Sequence, residues 1–420
     1  MNKNRHQYNA LKKNIDFYKH SIKYNHVLAQ QFVSLTYSLS SFKKKKIKSL
    51  VSPFFKTINF HSLKDAFAAN RIVVTNVTNR ADYVELINKY FEKSDDWDRV
   101  SLEELNFRFC FKIMNILQSV VFVFTRKLDL TFLQKLYISA HLSHYLNITD
   151  GLVSLFNHFN FNEKVYVPFN SAYDIETLLT QFFKSKGCKV IHISHALSYV
   201  NFKYDTVYDF INGENITAKN ITVWGESSKL DLINNYNIGE DSIKICGNPK
   251  YPEKIINVSK EFSKCVVFLG RPIYDEYNIE LIKLLNVIAK KYGIEFTIKP
   301  HPFSDFEKLN AASENGNISV VSGKETIFQL LNSGIYNFAI SYNTTAYFEA
   351  MYYNLICLRF SVFENEVFHG LDDNFFDEVS FMKQLDKFKK IDIEQINADV
   401  SKTLIYNLGM GITEYLTMFN

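Results

Sequence analysis

The chain has 420 residues, too many for one small core and a natural length for two domains. Hydrophobic residues make up 47% and charged residues 22%, the balance of a water-soluble globular protein, and no uninterrupted apolar run is long enough for a membrane-crossing helix. A formal net charge of +4 is too small to argue for a nucleic-acid partner. Five scattered cysteines (Cys110, Cys188, Cys246, Cys265, Cys357) form no CxxC pair, which suits buried thiols in a reducing compartment. With no signal-like apolar segment at the start, the expected location is the cytoplasm.

Residues 1–65 mix Lys, Tyr and Phe and predict a helical basic region. Its run Lys43-Lys44-Lys45-Lys46 has two readings, a solvated helix end or a peripheral contact with anionic lipid at the inner face of the membrane. An alternation of strands and helices starts at RIVVTNV (71–77) and ADYVELINKYFEK (81–93). SDDWDR then reads as a polar break, 102–128 is apolar and either a buried helix or a helix plus strand, and 131–147 has helical spacing that runs into Ile148-Thr149-Asp150-Gly151. KVYVPFN (164–170), CKVIHISHA (188–196), the strand opening NITVWG and SIKICGN follow as strands with helices between them.

A polar stretch at 252–264 predicts a domain boundary, after which the rhythm restarts. KCVVFLG (264–270), IEFTIKPHP (294–302), NISVVSG (317–323), YNFAISY (336–342) and LICLRF (355–360) are the strands of this half. The expected architecture is α/β, with two Rossmann-like domains at 66–255 and 256–405. The helical region 1–65 precedes them, and a helix at 406–420 is free to cross back.

The second half carries the chemistry. In IKPHP, prolines lock the backbone around His301, so Lys299, His301 and Pro302 belong to a stiff turn beyond a strand end, where open α/β sheets bind ligands. His301 is able to donate a hydrogen bond to a phosphate and assist a leaving group. Glu325 opens KETIFQLL and suits a ribose or base, or simply the helix dipole. Thr344 and Thr345, after YNFAISY, make either a phosphate site or an ordinary helix cap. Gly270-Arg271-Pro272 forms the first strand-to-helix turn of this half; Arg271 is a bidentate partner for phosphate or carboxylate, or a plain surface residue. Asn248, in Gly247-Asn248-Pro249, is a further candidate donor contact.

The IKPHP turn, the KETIF glutamate and the NTT segment together resemble the His-Pro motif, ribose glutamate and hydroxyl pair of bacterial GT-B sialyltransferases and related capsule Kdo transferases. That resemblance covers about 145–360 and is strongest over 297–351. It implies two domains facing a central cleft and a CMP-activated acidic sugar as donor. It also implies a capsule or lipo-oligosaccharide acceptor and a histidine, His301, that aids departure of the nucleotide phosphate.

In those sialyltransferases an acidic-acidic-Gly motif of the N-terminal domain supplies the general base. Thr149-Asp150-Gly151 is similar, with Thr149 replacing the first acidic residue. His195, in ISHALSYVNFKYD, is the competing base, because it resembles the strand-end histidine of teichoic-acid glycerophosphotransferases, with Ala196 in place of their glycine. The alternatives are the same fold with a UDP-sugar or CDP-glycerol donor, a sugar-nucleotide epimerase, and a non-catalytic assembly partner. No P-loop or dinucleotide fingerprint occurs, which disfavours an NTPase or a classical dehydrogenase, and no Cys/His set has zinc spacing. Stabilisation of the departing phosphate by His301, Thr344 and Thr345 replaces a metal in the proposed chemistry, so the expectation is an enzyme with no metal and no cofactor.

Overall fold

The structure, a computed structural model, describes residues 3–37, 47–172, 174–194, 211, 213–251, 257–313, 316–321, 325–362, 372–392, 394–395, 398 and 413–419. It divides into two compact units, one of residues 1–249 with 412–420, the other of 250–411.

The first unit opens with α1 (Lys3–Asn14), a hairpin of β1 (Tyr18–Lys19) and β2 (Ile22–Lys23), α2 (Tyr24–Val27), α3 (Ala29–Thr36) and α4 (Ile47–Val51). Next come β3 (Lys56–Ile58), α5 (His61–Ala69), β4 (Ile72–Asn76), α6 (Ala81–Tyr90), β5 (Trp97–Ser101) and β6 (Phe107–Phe109). Two helices follow, α7 (Ile113–Thr125) and α8 (Phe132–Leu155), before β7 (Val165–Pro168), α9 (Asp174–Ser185), β8 (Lys189–His192), β9 (Asn220–Val223), α10 (Glu226–Tyr236) and β10 (Ile243–Ile245). The sheet order is β10-β9-β8-β7-β4-β5, with every pairing parallel; β3 and β6 form a separate antiparallel ribbon. The order reverses between β4 and β7, which makes that the switch point of this sheet.

In the second unit β11 (Lys264–Phe268), α11 (Asp275–Tyr292), β12 (Glu295–Lys299), α12 (Phe306–Ala311) and β13 (Ile318–Val320) step one way across the sheet. The chain then crosses by α13 (Ile327–Asn332) to β14 (Phe338–Ser341), and continues through α14 (Ala346–Tyr352), β15 (Ile356–Phe360), β16 (Asn374–Phe375) and α15 (Glu378–Lys390). The order β13-β12-β11-β14-β15-β16 is again wholly parallel, so its switch point lies between β11 and β14. These strands are continuous apolar runs because helices cover both faces of a parallel sheet. The α/β expectation of two Rossmann-like domains therefore holds. The chain does return to the first unit at its end. There α16 (Thr413–Phe419) stacks Phe419 on Phe91 at 4.5 Å, and Tyr415 Oη donates to the Gly247 carbonyl at 2.5 Å.

Three sequence expectations change. SDDWDR is not a break: it leads directly into β5, a sheet edge, where one polar face is tolerated. The predicted helix end at Thr149-Asp150-Gly151 does not occur, and α8 runs on to Leu155. A capping box of Thr131 and Gln134 starts this helix, and burial of Tyr145, Leu146, Ile148 and Leu152 outweighs the roughly 1 kcal/mol that a helical glycine costs. The helical region 1–65 is not set apart either: Tyr8, Phe17, Tyr24 and Phe32 share one core with residues of α8 and α9. Of the Lys43–Lys46 run nothing is described, since it lies outside the described residues.

Phe67 sits at the centre of that core, with its ring 4.9 Å from Phe183, 5.5 Å from Phe161 and 6.2 Å from Phe156. Replacing it by alanine removes a fully buried ring whose rigid neighbours collapse only partly into the void. Chemical denaturation of Phe67→Ala is expected to show a loss of about 3–5 kcal/mol.

Candidate active site

The second unit's topology collects most of the predicted site on one edge. Strands β13, β12, β11 and β14 are successive neighbours, and all four point their carboxyl ends the same way. Glu325 follows β13, His301 follows β12, Gly270 and Arg271 follow β11, and Thr344 and Thr345 follow β14. At about 4.8 Å between strands, the row spans roughly 15 Å.

Gly270 is there for lack of space. A Cβ on it would come within 3.0 Å of the Tyr342 carbonyl oxygen, where β14 ends, and within 3.3 Å of the Tyr274 ring. The turn is held by buried Asn278, whose side chain accepts from the Gly270 N–H at 3.0 Å and donates to its carbonyl at 3.1 Å. Arg271 lies over the Tyr274 ring, 5.6 Å from its centroid, with Nη2 3.4 Å from the phenol oxygen. On β14's side, Asn343 takes a left-handed φ of 47°, which asparagine tolerates better than most residues and which marks a strained turn beside the switch point.

His301 is held by its own turn. Its carbonyl accepts from the Ser304 N–H at 2.9 Å, and its Nδ1 accepts from the Phe303 N–H at 3.3 Å. An accepting Nδ1 puts the proton of the neutral ring on Nε2, the atom suited to donate to an anion. Pro302 is exposed at the same turn. Lys299, the last residue of β12, is buried; burial lowers its pKa and the Glu325 carboxylate draws it part of the way back. Glu325 itself is exposed and precedes the helix rather than opening it, because Thr326 is the cap of α13 and forms a capping box with Gln329. Thr344 Oγ1 accepts from the Ala346 N–H at 3.3 Å, which leaves its hydroxyl proton to be donated elsewhere. The Thr345 side chain makes no cap bond to α14, a helix of only seven residues.

Three predicted residues are not in this row. His195 lies outside the described residues. Asn248 is buried in the first unit, beyond β10. Asp150 lies within α8, about 7.5 Å further along it than Tyr145, whose hydroxyl meets Asp174 at the first turn of α9. Its carboxylate is engaged by Asn115 at 2.9 Å, Lys112 at 3.2 Å and Lys19 at 3.5 Å. Burial raises its pKa, but those amide and lysine contacts outweigh the effect and leave it below the usual carboxylate range. Such a group is a weak proton acceptor and a good anchor.

The first unit's own switch point holds polar groups that sequence reasoning missed. Buried Glu176 accepts from the Asn170 N–H at 2.9 Å and from Thr75 Oγ1 at 3.3 Å, and Thr75 Oγ1 lies 2.7 Å from Tyr166 Oη. Ser171 Oγ meets His192 Nδ1 at 2.8 Å. The signal was available in polar residues ending otherwise apolar strands, Thr75-Asn76 after IVV and Asn170-Ser171 after VYVPF.

Neither a comparison with protein-family models nor one with curated protein sequences finds a match. Among solved structures, TarM shares 15% identity over 64% of this chain at a TM-score of 0.42. The UDP-GlcNAc 2-epimerase of Methanocaldococcus jannaschii shares 12% over 83% of this chain and 98% of its own, at 0.46. Anabaena HepE in complex with UDP and glucose shares 9% over 83% of this chain and 98% of its own, at 0.45. The chain spans little more than half of TarM's length, 57%.

Burial raises the Glu176 carboxyl well above its ordinary 4.5, with the Asn170 and Thr75 hydrogen bonds opposing only in part. A raised folded pKa stabilises the fold fully below the unfolded value, and that contribution is lost as pH rises through the folded one. Thermal melts from acidic to alkaline pH are expected to show wild-type stability falling relative to Glu176→Gln, which keeps an acceptor for Asn170 without titrating.

Proposed function

We propose that the chain is a nucleotide-sugar-dependent glycosyltransferase whose second unit holds the donor. The observation that carries this reading is the row of Glu325, His301, Arg271 and Thr344-Thr345 along four adjacent carboxyl ends, centred on the switch point where open α/β sheets take nucleotides. The His301 Nε2–H, the Arg271 guanidinium and the two threonine hydroxyls are donors suited to a phosphate, and Glu325 is the acceptor suited to a ribose or base.

In the reaction we infer, an acceptor hydroxyl oxygen attacks the anomeric carbon while the bond from that carbon to the phosphate oxygen breaks. The electron pair leaves with the nucleotide phosphate, where His301, Arg271, Thr344 and Thr345 stabilise the growing negative charge. The hydroxyl proton passes to a base, for which Asp150 and His195 are the two candidates; the ion pairs around Asp150 favour His195. With side-chain donors meeting the phosphate, the reaction is proposed to need no metal. The motif resemblance points the donor toward a CMP-linked acidic sugar of sialic acid or Kdo type, and the acceptor toward a surface glycan or glycolipid.

The test is nucleotide release from a panel of CMP-, UDP- and CDP-linked donors, with and without glycan acceptors. Acceptor-dependent release from a CMP-sugar is expected, and His301→Ala is expected to lower kcat/KM by about 100-fold or more. Release from UDP-sugar or CDP-glycerol instead would reassign the donor. Interconversion of a UDP-sugar with no acceptor would make the protein an epimerase. Near-normal transfer by His301→Ala, or loss of activity with EDTA, would overturn the mechanism.

A further inference from the structure

Helix α7 is amphipathic in the wrong sense for a soluble protein. Its buried face against the body of the unit is Asn115, Ser119 and Val123, whereas its outer face presents Ile113, Met114, Leu117 and Val121 to solvent. All thirteen of its residues are uncharged. Exposed aromatic residues extend the face at both ends. On one side Phe109, 79% exposed, and Phe111 both stack on Phe55, at 6.1 and 6.0 Å. On the other, exposed Phe132 meets Phe124 at 5.5 Å. Contiguous apolar surface of this kind marks a site of attachment rather than ordinary solvent contact.

Its charges say to what. From residue 107 to 135 there are five basic residues, Arg108, Lys112, Arg126, Lys127 and Lys135, against the single acid Asp129; with Lys112 paired to Asp150, the stretch still carries a net excess of three positive charges. Several sit at the rim: Arg126 lies over the Phe122 ring at 4.5 Å, Lys135 over Phe124 at 5.9 Å, and Lys56 over Phe107 at 5.6 Å. An apolar stripe with cations at its edge is the signature of a helix lying in a lipid interface, with its outer face in the acyl boundary and its cations at anionic headgroups. A second copy of this chain would bring the same positive rim and be repelled. A span is excluded for this helix, since thirteen residues cover only about 20 Å, and among the described residues no helix is long and apolar enough to cross a membrane.

We propose that the surface formed by β6, α7 and the start of α8 seats the protein on an anionic phospholipid membrane. It does not depend on the reading of the second unit. The lipid contact anticipated at Lys43–Lys46 is thereby joined by one built from different residues. The test is co-sedimentation of the full-length chain with vesicles of phosphatidylcholine, with and without phosphatidylglycerol. Wild type is expected to bind the anionic vesicles preferentially and to be released by salt. Leu117→Glu with Val121→Glu is expected to weaken binding about tenfold or more, and Arg126→Glu with Lys127→Glu to abolish the preference for anionic lipid. Val287→Glu, at an exposed apolar position in the second unit, is expected to bind as wild type does. Circular dichroism confirms that each variant is folded. Wild type that ignores anionic vesicles, a Leu117→Glu/Val121→Glu protein that binds normally, or a dimer that the same pair dissolves would each overturn the proposal.

Discussion

The second unit depends on the close approach of β11 to β14 at their carboxyl ends. The sheet order reverses there, so two chain segments leave the same edge in opposite senses, the place where open α/β sheets take ligands. Gly270 permits the approach because any side chain would press on the Tyr342 carbonyl. Asn278 then satisfies both backbone groups of Gly270, which would otherwise be buried without partners. With that turn held, His301 on one neighbour and Thr344 on the other stand on either side of Arg271. The chemistry proposed for the unit is a consequence of which strands lie next to one another.

The first unit is organised by burial of aromatic rings and of a few ionisable groups. Phe67 and its neighbours fill the space between helices and sheet with rings that meet edge to face or tilted, the arrangement aromatic quadrupoles favour. Asp174 and Glu176, both at the start of α9, have carboxyl pKa values raised by burial, opposed by hydrogen bonds from Tyr145 and Gln31 in one case and from Asn170 and Thr75 in the other. Asp150 goes the other way because, against the effect of burial, the Asn115 amide and then Lys112 and Lys19 reach it. The start of α9 thus stores carboxyls that favour the protonated form, while the preceding helix, α8, carries one that favours the charged form.

Helix α7 departs from this economy. A disagreement between local pattern and packing that burial does not account for concentrates where a protein meets something outside itself. Thirteen uncharged residues that turn Asn115 and Ser119 inward and Leu117 and Val121 outward are poorly explained by folding in water alone.

The sequence by itself determined the α/β class, the restart of the strand-helix alternation in the second unit and the turn that follows the strand in IKPHP, because apolar runs, glycines and prolines act on the nearby backbone. Where it failed, long-range contacts had the decision. Asp150-Gly151 is a turn by local preference but lies in a helix, because the residues around it are buried on both sides. WDRVS is polar by composition but pairs as an edge strand with β4. Region 102–128 was ambiguous between a buried helix and a helix plus strand because periodicity alone does not separate them; it holds β6 and α7. Strand order, which aligned His301 with Arg271 and Thr344, is written in no local motif. It follows from how helices of given length pack back on a twisted sheet, and only the tertiary structure could decide it.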